Sequence, residues 1–470
     1  FFMFNRYLKS FPEKSVNTDL GRNNKLRDAS KRITLPGVFV SFQRCIENTL
    51  GRSINLELSI TPEQVIQVDD QMMDEFKKSN FSWKSVVLDY LLESSFQTGL
   101  ELGLFTSHEK HPSVDSALSK VKLTTSSCYP RYTKKSNLDT IKETKDFVSD
   151  YILDPIVGKL LVLPCTIFHR FRTYLSPDLK SNLVKARPVW GFPFSITLLE
   201  IYLFEPLLSL VSELNARRES KIISNGKTRF EISEYMIKPL RRLGFDIICL
   251  DVKKFDSCIP SYFWALYFSA LSLGDVDFEN NKQYYLDQIV YLCFTPFCLR
   301  STDIQFTRKG MPSGSYHTSI GDNFFNRTIL NYAVYEKTHG KFFLHENGFT
   351  NGDDALLTTK YFKLPYLVDV YKRFGLTLDV DKTSVVGATE DITYVGFIWD
   401  SESRPTQTLD WYVSHLCVNQ RWVKDNDIPN YVMQTYRAVG ICMGLYKGIE
   451  TFEYLIGEQD KVWADLKRQY

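Results

Sequence analysis

Two short apolar runs constrain this chain more than any other feature, because each reads as a buried strand and each ends in carboxylates. The first, DIICLDVKKFD at 246–256, is β-prone and closes on Asp251, with Asp256 five residues further on. The second, NGFTNGDDALLTT at 347–359, sets Gly352, Asp353 and Asp354 between two β-prone flanks and reads as a hairpin with the acidic pair at its tip. A carboxylate at the end of a buried strand is costly unless it is paired or bound to a metal. If the first strand lies beside the hairpin, Asp251 and Asp353 converge, and a divalent cation would keep both ionised. Hard oxygen ligands suit Mg²⁺, which is held by one or two carboxylates together with phosphate oxygens and water. Taken singly, each motif is also ordinary turn chemistry. Their order and their placement at strand ends argue for a site.

Between them lies KGMPSGSYHTSIGDNFFN at 309–326. Pro312 stiffens this loop, while Gly310 and Gly314 let it bend. The helix that follows carries Thr318 and Asp322 four residues apart, hence on one face. With Asp256 they could hold a pair of hydroxyls such as a ribose edge. The plain alternative is that Ser313 or Ser315 simply caps the helix.

The rest of the chain reads as α+β. SITLLEIYLFEPLLSLVSEL is a long helix too apolar to be anything but buried, and PSYFWALYFSALSL starts a helix at Pro260. A Thr-Pro signal opens a helix at 61–78, residues 105–140 read as an exposed polar loop region, and ITYVGFIWD reads as one strand. Residues 405–470 read as mainly helical, with Trp411, Trp422 and Trp463 spaced for packing. The order of elements over 246–400 predicts a sheet with helices on one side.

Composition adds limits. The 470 residues allow two to four domains or one multi-lobed unit. With 57 basic and 55 acidic side chains the net charge is +2, so any nucleic-acid partner needs a local positive field. The basic clusters at 131–135, 169–174, 216–221 and 241–243 each read first as solvated faces. The 34 Phe and 26 Tyr read as core before they read as a base-stacking groove. Nine scattered cysteines without a CxxC pair speak against a zinc site or a disulfide framework and suggest reduced thiols in a cytosol-like compartment. The opening FFMFNRYLKSFPEK has too short an apolar run for a signal peptide, and no stretch reaches about 18 uninterrupted apolar residues. The expectation is a soluble protein with no membrane partner.

The ordered set Asp251-x4-Asp256, Ser313-Gly314-x3-Thr318-x3-Asp322 and Gly352-Asp353-Asp354 resembles palm motifs A, B and C of viral RNA-dependent RNA polymerases. The wording GMPSGSYHTSIGDN with NGDDALL looks most like the partitiviruses, with picobirnaviruses as nearest neighbours. The motifs cover about 185–400. The resemblance implies a right-hand fold. An arm at 1–60 would bridge fingers and thumb. Fingers with part of the palm helices would occupy 61–245, palm 246–258, fingers 259–300, palm 301–400 and a small helical thumb 401–470.

The same resemblance implies roles. Asp251, Asp353 and Asp354 would bind two catalytic Mg²⁺ ions, with Mn²⁺ as an alternative. Asp256, Thr318 and Asp322 would recognise the ribose 2′-hydroxyl, and Ser313 and Gly314 would sit beside the nascent pair. Asp322 stands where many positive-strand relatives carry Asn, which leaves open whether Asp322 or Asn323 meets the ribose. KARPVWGFPFS at 185–195 looks like motif F, so Lys185 and Arg187 would meet the triphosphate, Lys as a point charge and Arg as a fork of donors. Lys382 falls where motif D places a lysine, either as general acid toward pyrophosphate or as a partner of Asp379 or Asp381. YVGFIW at 394–399 would be the motif E strand beside the thumb.

The implied partners are template and product RNA, NTPs and a viral capsid protein, for a monomeric polymerase inside the virion or the host cytoplasm. A reverse transcriptase shares the palm, but Asp256 and NGDD favour RNA synthesis. A non-catalytic RNA-packaging protein would have no use for Asp251, Asp353 and Lys185.

Overall fold

The computed structural model describes residues 46–51, 53, 56–58, 74–76, 85–107, 113–170, 173–175, 187–217, 219–298, 304–417 and 439–456, with backbone alone for 56–58, 169–170, 173–175, 187–188, 414, 417 and 456. Two compact units result: 1–20, 69–168 and 188–390 form the first, and 21–68, 169–187 and 391–470 the second. The helix expected at 61–78 lies outside the described residues except for 74–76, which are helical.

The principal elements of the first unit are α1 (Leu88–Leu102), α2 (Leu138–Leu153), β1 (Cys165–Arg170), β2 (Arg187–Gly191), α3 (Phe194–Ala216), β3 (Ile247–Leu250), β4 (Val252–Lys253), α4 (Phe255–Cys258), α5 (Tyr262–Ser272), α6 (Phe278–Cys293), β5 (Pro296–Cys298), β6 (Gln305–Phe306), α7 (Thr318–Lys337), β7 (Gly348–Asn351), β8 (Asp354–Thr358), α8 (Leu364–Arg373), β9 (Thr377–Leu378) and β10 (Ser384–Val386). The sheet that carries the acidic motifs has the order β10–β3–β8–β7 and is antiparallel throughout. All four residues of β3 are buried, as its unbroken apolar run requires. β7 and β8 form the expected hairpin, turned by Gly352 and Asp353. Gly352 has φ +67°, a left-handed conformation that favours glycine. The outer side of β7 is not bare: Thr350 exchanges hydrogen bonds with Ile222 O and Ser224 N. A second sheet, β2–β1–β5–β6, sets β1 parallel to β5.

α7 packs along α1 and against β7. Aromatic rings fill the core beside it, with Trp264 edge-on to Phe325 at 5.2 Å and Tyr267 edge-on to Phe324 at 5.5 Å. Among the described residues many Phe and Tyr side chains are core, while others, such as Phe96, Phe230 and Tyr454, are exposed. α3 has the length and hydropathy of a membrane span, yet two-thirds of that stretch is buried inside the protein. Phe204 on α3 packs against Phe268, Tyr285 and His317.

Three local expectations need correction. Residues 105–140 are not simply an exposed loop: Ser113 caps a short helix, Val114–Ser119, and Cys128 and Lys135 are buried. α5 starts at Tyr262, with Pro260 ahead of its cap, where its carbonyl accepts from Phe263 N. ITYVGFIWD is not one strand but two, because Val395 and Gly396 both take positive φ (+52° and +71°) and turn the chain back.

In the second unit those strands, β11 (Ile392–Tyr394) and β12 (Phe397–Trp399), continue to β13 (Pro405–Thr406) in a three-stranded antiparallel sheet. Short strands Leu56–Leu58 and Thr173–Leu175 pair separately. α9 (Leu409–Cys417) and α10 (Gly448–Ile456) share a small core of Ile46, Tyr412, Val413, Leu416, Leu445, Phe452 and Leu455. Trp411 stacks on His415 at 4.0 Å, while Trp422 and Trp463 lie outside the described residues.

Candidate active site

The sheet register decides where the carboxylates stand. Ala355 pairs with Leu250, so the next step along both strands sets Asp354 level with Asp251 at the sheet's end. Asp353 occupies the turn one residue before. After β4 the chain kinks at Lys254 (φ +52°), and α4 then carries Asp256. α7 supplies Asp322, whose Oδ1 is shut off from solvent and has no hydrogen-bond partner. Burial raises the Asp322 pKa well above the usual carboxylate range, and the neighbouring charges of Asp256 and Asp353 push it the same way. Asp256, Asp322 and Asp353 are thus gathered from three separate elements. Thr318 lies one turn before Asp322, its hydroxyl donating to Ser315 O at 2.8 Å.

Asp251 is gripped from the loop that precedes β10. Its carbonyl accepts from Asp379 N at 2.9 Å, and its amide donates to Thr383 Oγ1 at 3.3 Å. Lys382 Nζ lies 3.0 and 3.1 Å from the two Asp251 oxygens and 3.4 Å from Asp379. Partial burial works against the ammonium, but the hydrogen bonds and charge of Asp251 outweigh it, and the Lys382 pKa is raised. The expected partner Asp379 is therefore joined by Asp251.

These groups fit a hard cation in one respect: Asp322 Oδ1 is a buried oxygen without a hydrogen-bond donor, and the carboxylates of Asp256 and Asp353 crowd it. Among the described residues no three His, Cys, Asp or Glu side chains form a ready-made metal cage.

Sequence reasoning missed what holds the hairpin in place. Three consecutive contact positions on α7 grip its backbone. Asn323 Oδ1 accepts from Gly352 N (3.1 Å) and Thr350 Oγ1 (2.9 Å), and Asn326 Nδ2 donates to Gly352 O (2.7 Å). Arg327, with no exposed surface, donates to Gly348 O, His345 O and Glu101 at 2.7–2.8 Å. Burial alone would raise the Glu101 pKa, but Arg327 overrides it and holds the carboxyl below the usual range. The signal was present: Asn323, Asn326, Arg327 and Asn331 stand at i, i+3, i+4 and i+8, on one face of the helix. Asn323 is also buried and spends its amide on Ser319 O, so of the two ribose candidates Asp322 is the one with an unused oxygen.

The loop before α7 is pinned rather than capping. α7 has no side-chain cap; Ser315 Oγ donates instead to Glu200 on α3 at 2.8 Å. Ser313 is half-buried and Gly314 exposed in the same loop. A Cβ on Gly314 would overlap the Trp190 carbonyl oxygen on β2. Lys185 lies outside the described residues, and of Arg187 the backbone alone is described, at the start of β2. Several basic residues are tied up elsewhere: Arg131 with Glu143, Arg217 with Glu213, and Arg241 with the carbonyls of Ala388 and Glu390.

Residues 61–410 match the family model of viral RNA-dependent RNA polymerases. The chain belongs to that family. The chain is 23% identical over 264 residues to a protein described as a potential RNA-dependent RNA polymerase of a human picobirnavirus, covering 56% of this chain and 43% of that protein. The match thus spans less than half of that relative's length. Its fold is that of a human picobirnavirus RNA-dependent RNA polymerase, with TM-score 0.63 at 17% identity, covering 87% of this chain and 76% of the other. An insertion-loop deletion mutant of a human picobirnavirus polymerase gives the same score and identity over 87% and 78%. The architecture is the right-hand polymerase fold expected from the motifs, and the picobirnaviruses expected as near neighbours supply the relatives.

Proposed function

We propose that this chain performs template-directed RNA synthesis from NTPs by two-metal nucleotidyl transfer, and so replicates and transcribes a viral double-stranded RNA genome. The observation that carries the reading is the gathering of Asp256, Asp322 and Asp353 beside the strand ends that bear Asp251 and Asp354, in a chain of this family.

Asp251, Asp353 and Asp354 would hold Mg²⁺ or Mn²⁺. When bound, the ions would lower the pKa of the attacking 3′-hydroxyl and stabilise the pyrophosphate leaving group. The other roles belong to the chain itself. Asp322, with Asp256 and Thr318, offers acceptors to a ribose 2′-hydroxyl, which favours NTP over dNTP. Lys185 and Arg187 would neutralise the triphosphate, and Ser313 and Gly314 would border the nascent pair. Lys382, charged at neutral pH, has a proton to give to departing pyrophosphate once it swings from Asp251. Base pairing reads sequence while the protein reads backbone and shape. Catalysis is then chiefly positioning and electrostatics.

In hand terms, 1–60 would bridge fingers and thumb, 61–245 and 259–300 would form fingers with part of the palm helices, 246–258 and 301–400 palm, and 401–470 thumb. The partners would be template and product RNA, NTPs and a viral capsid protein, for a monomer working in the virion or host cytoplasm.

The test is extension of a primed RNA template with NTPs and Mg²⁺. Wild type should extend it and Asp353→Asn should not. Efficient use of dNTPs, or extension by the variant, would overturn the assignment.

A further inference from the structure

Glu200 stands in the middle of the apolar helix α3 with no exposed surface and, among the described residues, no cation paired with it. The titratable groups that feel its charge are Cys165, Tyr267 and Tyr291, none of them positive. A carboxylate in such a place is expensive and persists only where hydrogen bonds hold it. Both of its oxygens are used, and both on the same loop. Ser315 Oγ donates to Oε1 at 2.8 Å, and Tyr316 N donates to Oε2 at 2.9 Å. Ser315 Oγ in turn accepts from His317 N at 3.2 Å. The other end of the loop is tied to the site, since Met311 N donates to Asp256 O at 2.5 Å. Between these ties Gly314 lies against the Trp190 carbonyl with no room for a side chain. The turn Pro312–His317 leads straight into Thr318 and, one turn later, Asp322.

We propose that Glu200 is a positioning residue for ribose selection: its carboxylate fixes the loop at Ser315 and Tyr316 and thereby sets Thr318 and Asp322 opposite Asp256. This rests on the polymerase reading above. Without the anchor the start of α7 loses its seat on α3, and the contact that rewards a 2′-hydroxyl weakens. A nucleotide lacking that hydroxyl has little to lose. The effect should therefore fall on NTPs and spare dNTPs.

The chain offers a conservative replacement that keeps the anchor. Glu200→Gln turns its carbonyl to Tyr316 N and its amide to Ser315 Oγ, whereas Glu200→Ala leaves both donors stranded. Single-nucleotide incorporation on a primed RNA template, with NTP and dNTP compared, reads the difference. Glu200→Ala should lose about tenfold in kcat/KM for NTP, the order of one lost hydrogen bond, with dNTP changed less than twofold. Glu200→Gln should keep the wild-type ratio within about threefold. Should Glu200→Ala fail to give a cooperative melt, Ser315→Ala removes one of the two bonds without touching the buried charge and should lower the NTP/dNTP ratio in the same direction. An unchanged ratio in the folded Ala variant, or an equal loss in Glu200→Gln, overturns the proposal. If wild type itself makes no RNA, the functional reading fails instead.

Discussion

Arg327→Met puts the support of the acidic hairpin to a quantitative test. The guanidinium is wholly buried and makes three hydrogen bonds, one to the Glu101 carboxylate and two to the carbonyls of Gly348 and His345. Met fills a similar volume but leaves Glu101 as a buried charge without its cation. Removing one partner of such a pair costs about 3–5 kcal/mol, most of it the penalty on the stranded charge. The first unit has roughly 300 residues, for which about 3–5 kcal/mol corresponds to a melting shift of about 5–7 °C. Matched thermal scans at pH 7 measure it. The double variant Arg327→Met with Glu101→Leu removes both charges and should recover more than half of the loss, because the desolvation penalty goes with them. A single-variant cost under about 1 kcal/mol, or a double variant no better than the single, refutes the view that this ion pair holds the hairpin.

Three further outcomes are expected. Asp353→Asn should abolish primer extension while Asp354→Asn leaves a measurable fraction, since Asp353 sits in the turn that Asp256 and Asp322 approach; the reverse ranking would reassign the two. Gly314→Ala drives a methyl into the Trp190 carbonyl, so urea melts should show a loss of about 1–3 kcal/mol, together with reduced synthesis. Burial pushes the Glu200 carboxyl up to about 7, against the hydrogen bonds from Tyr316 and Ser315. Its proton is thus held more tightly in the folded chain, and the stability it contributes is full below the ordinary carboxylate pKa and lost as pH rises toward 7. Urea melts at pH 5 and 8 should show wild type falling behind Glu200→Gln by about 2–3 kcal/mol across that interval.

How much of this was legible in the sequence depended on whether a feature is local. The strand ending at Asp251, the hairpin bearing Asp353 and Asp354, and the shared face of Thr318 and Asp322 all follow from patterns a few residues long. Glu200 was visible as an acid within an apolar helix, but its partner lies 115 residues away, and no spacing rule joins them. The pairing of Glu101 with Arg327 spans 226 residues and is equally silent. Local rules failed where a conformation overrode propensity, as at Val395, a β-branched residue held at positive φ that splits an apparent strand into a hairpin. The region 105–140 looked polar enough for a loop because its buried apolar side chains, Ala117 and Val121 among them, are few and interspersed with Ser, Thr and Lys.

The burial of α3 has a consequence in time. Part of its cover, the helix Val114–Ser119 together with α2 and α1, precedes it in the chain, but the rest emerges later: Phe268 and Tyr285 follow by tens of residues, and His317 comes about 100 residues after the helix ends. At about 5–20 residues per second the half-covered helix waits roughly 5–20 s for its last aromatic neighbour. During that interval nascent chains present a 23-residue apolar segment whose own sequence cannot hide it. The stretch that anchors the loop before α7 in the finished molecule is therefore a point at which chaperone occupancy, and the yield of any fragment ending before His317, should be sensitive.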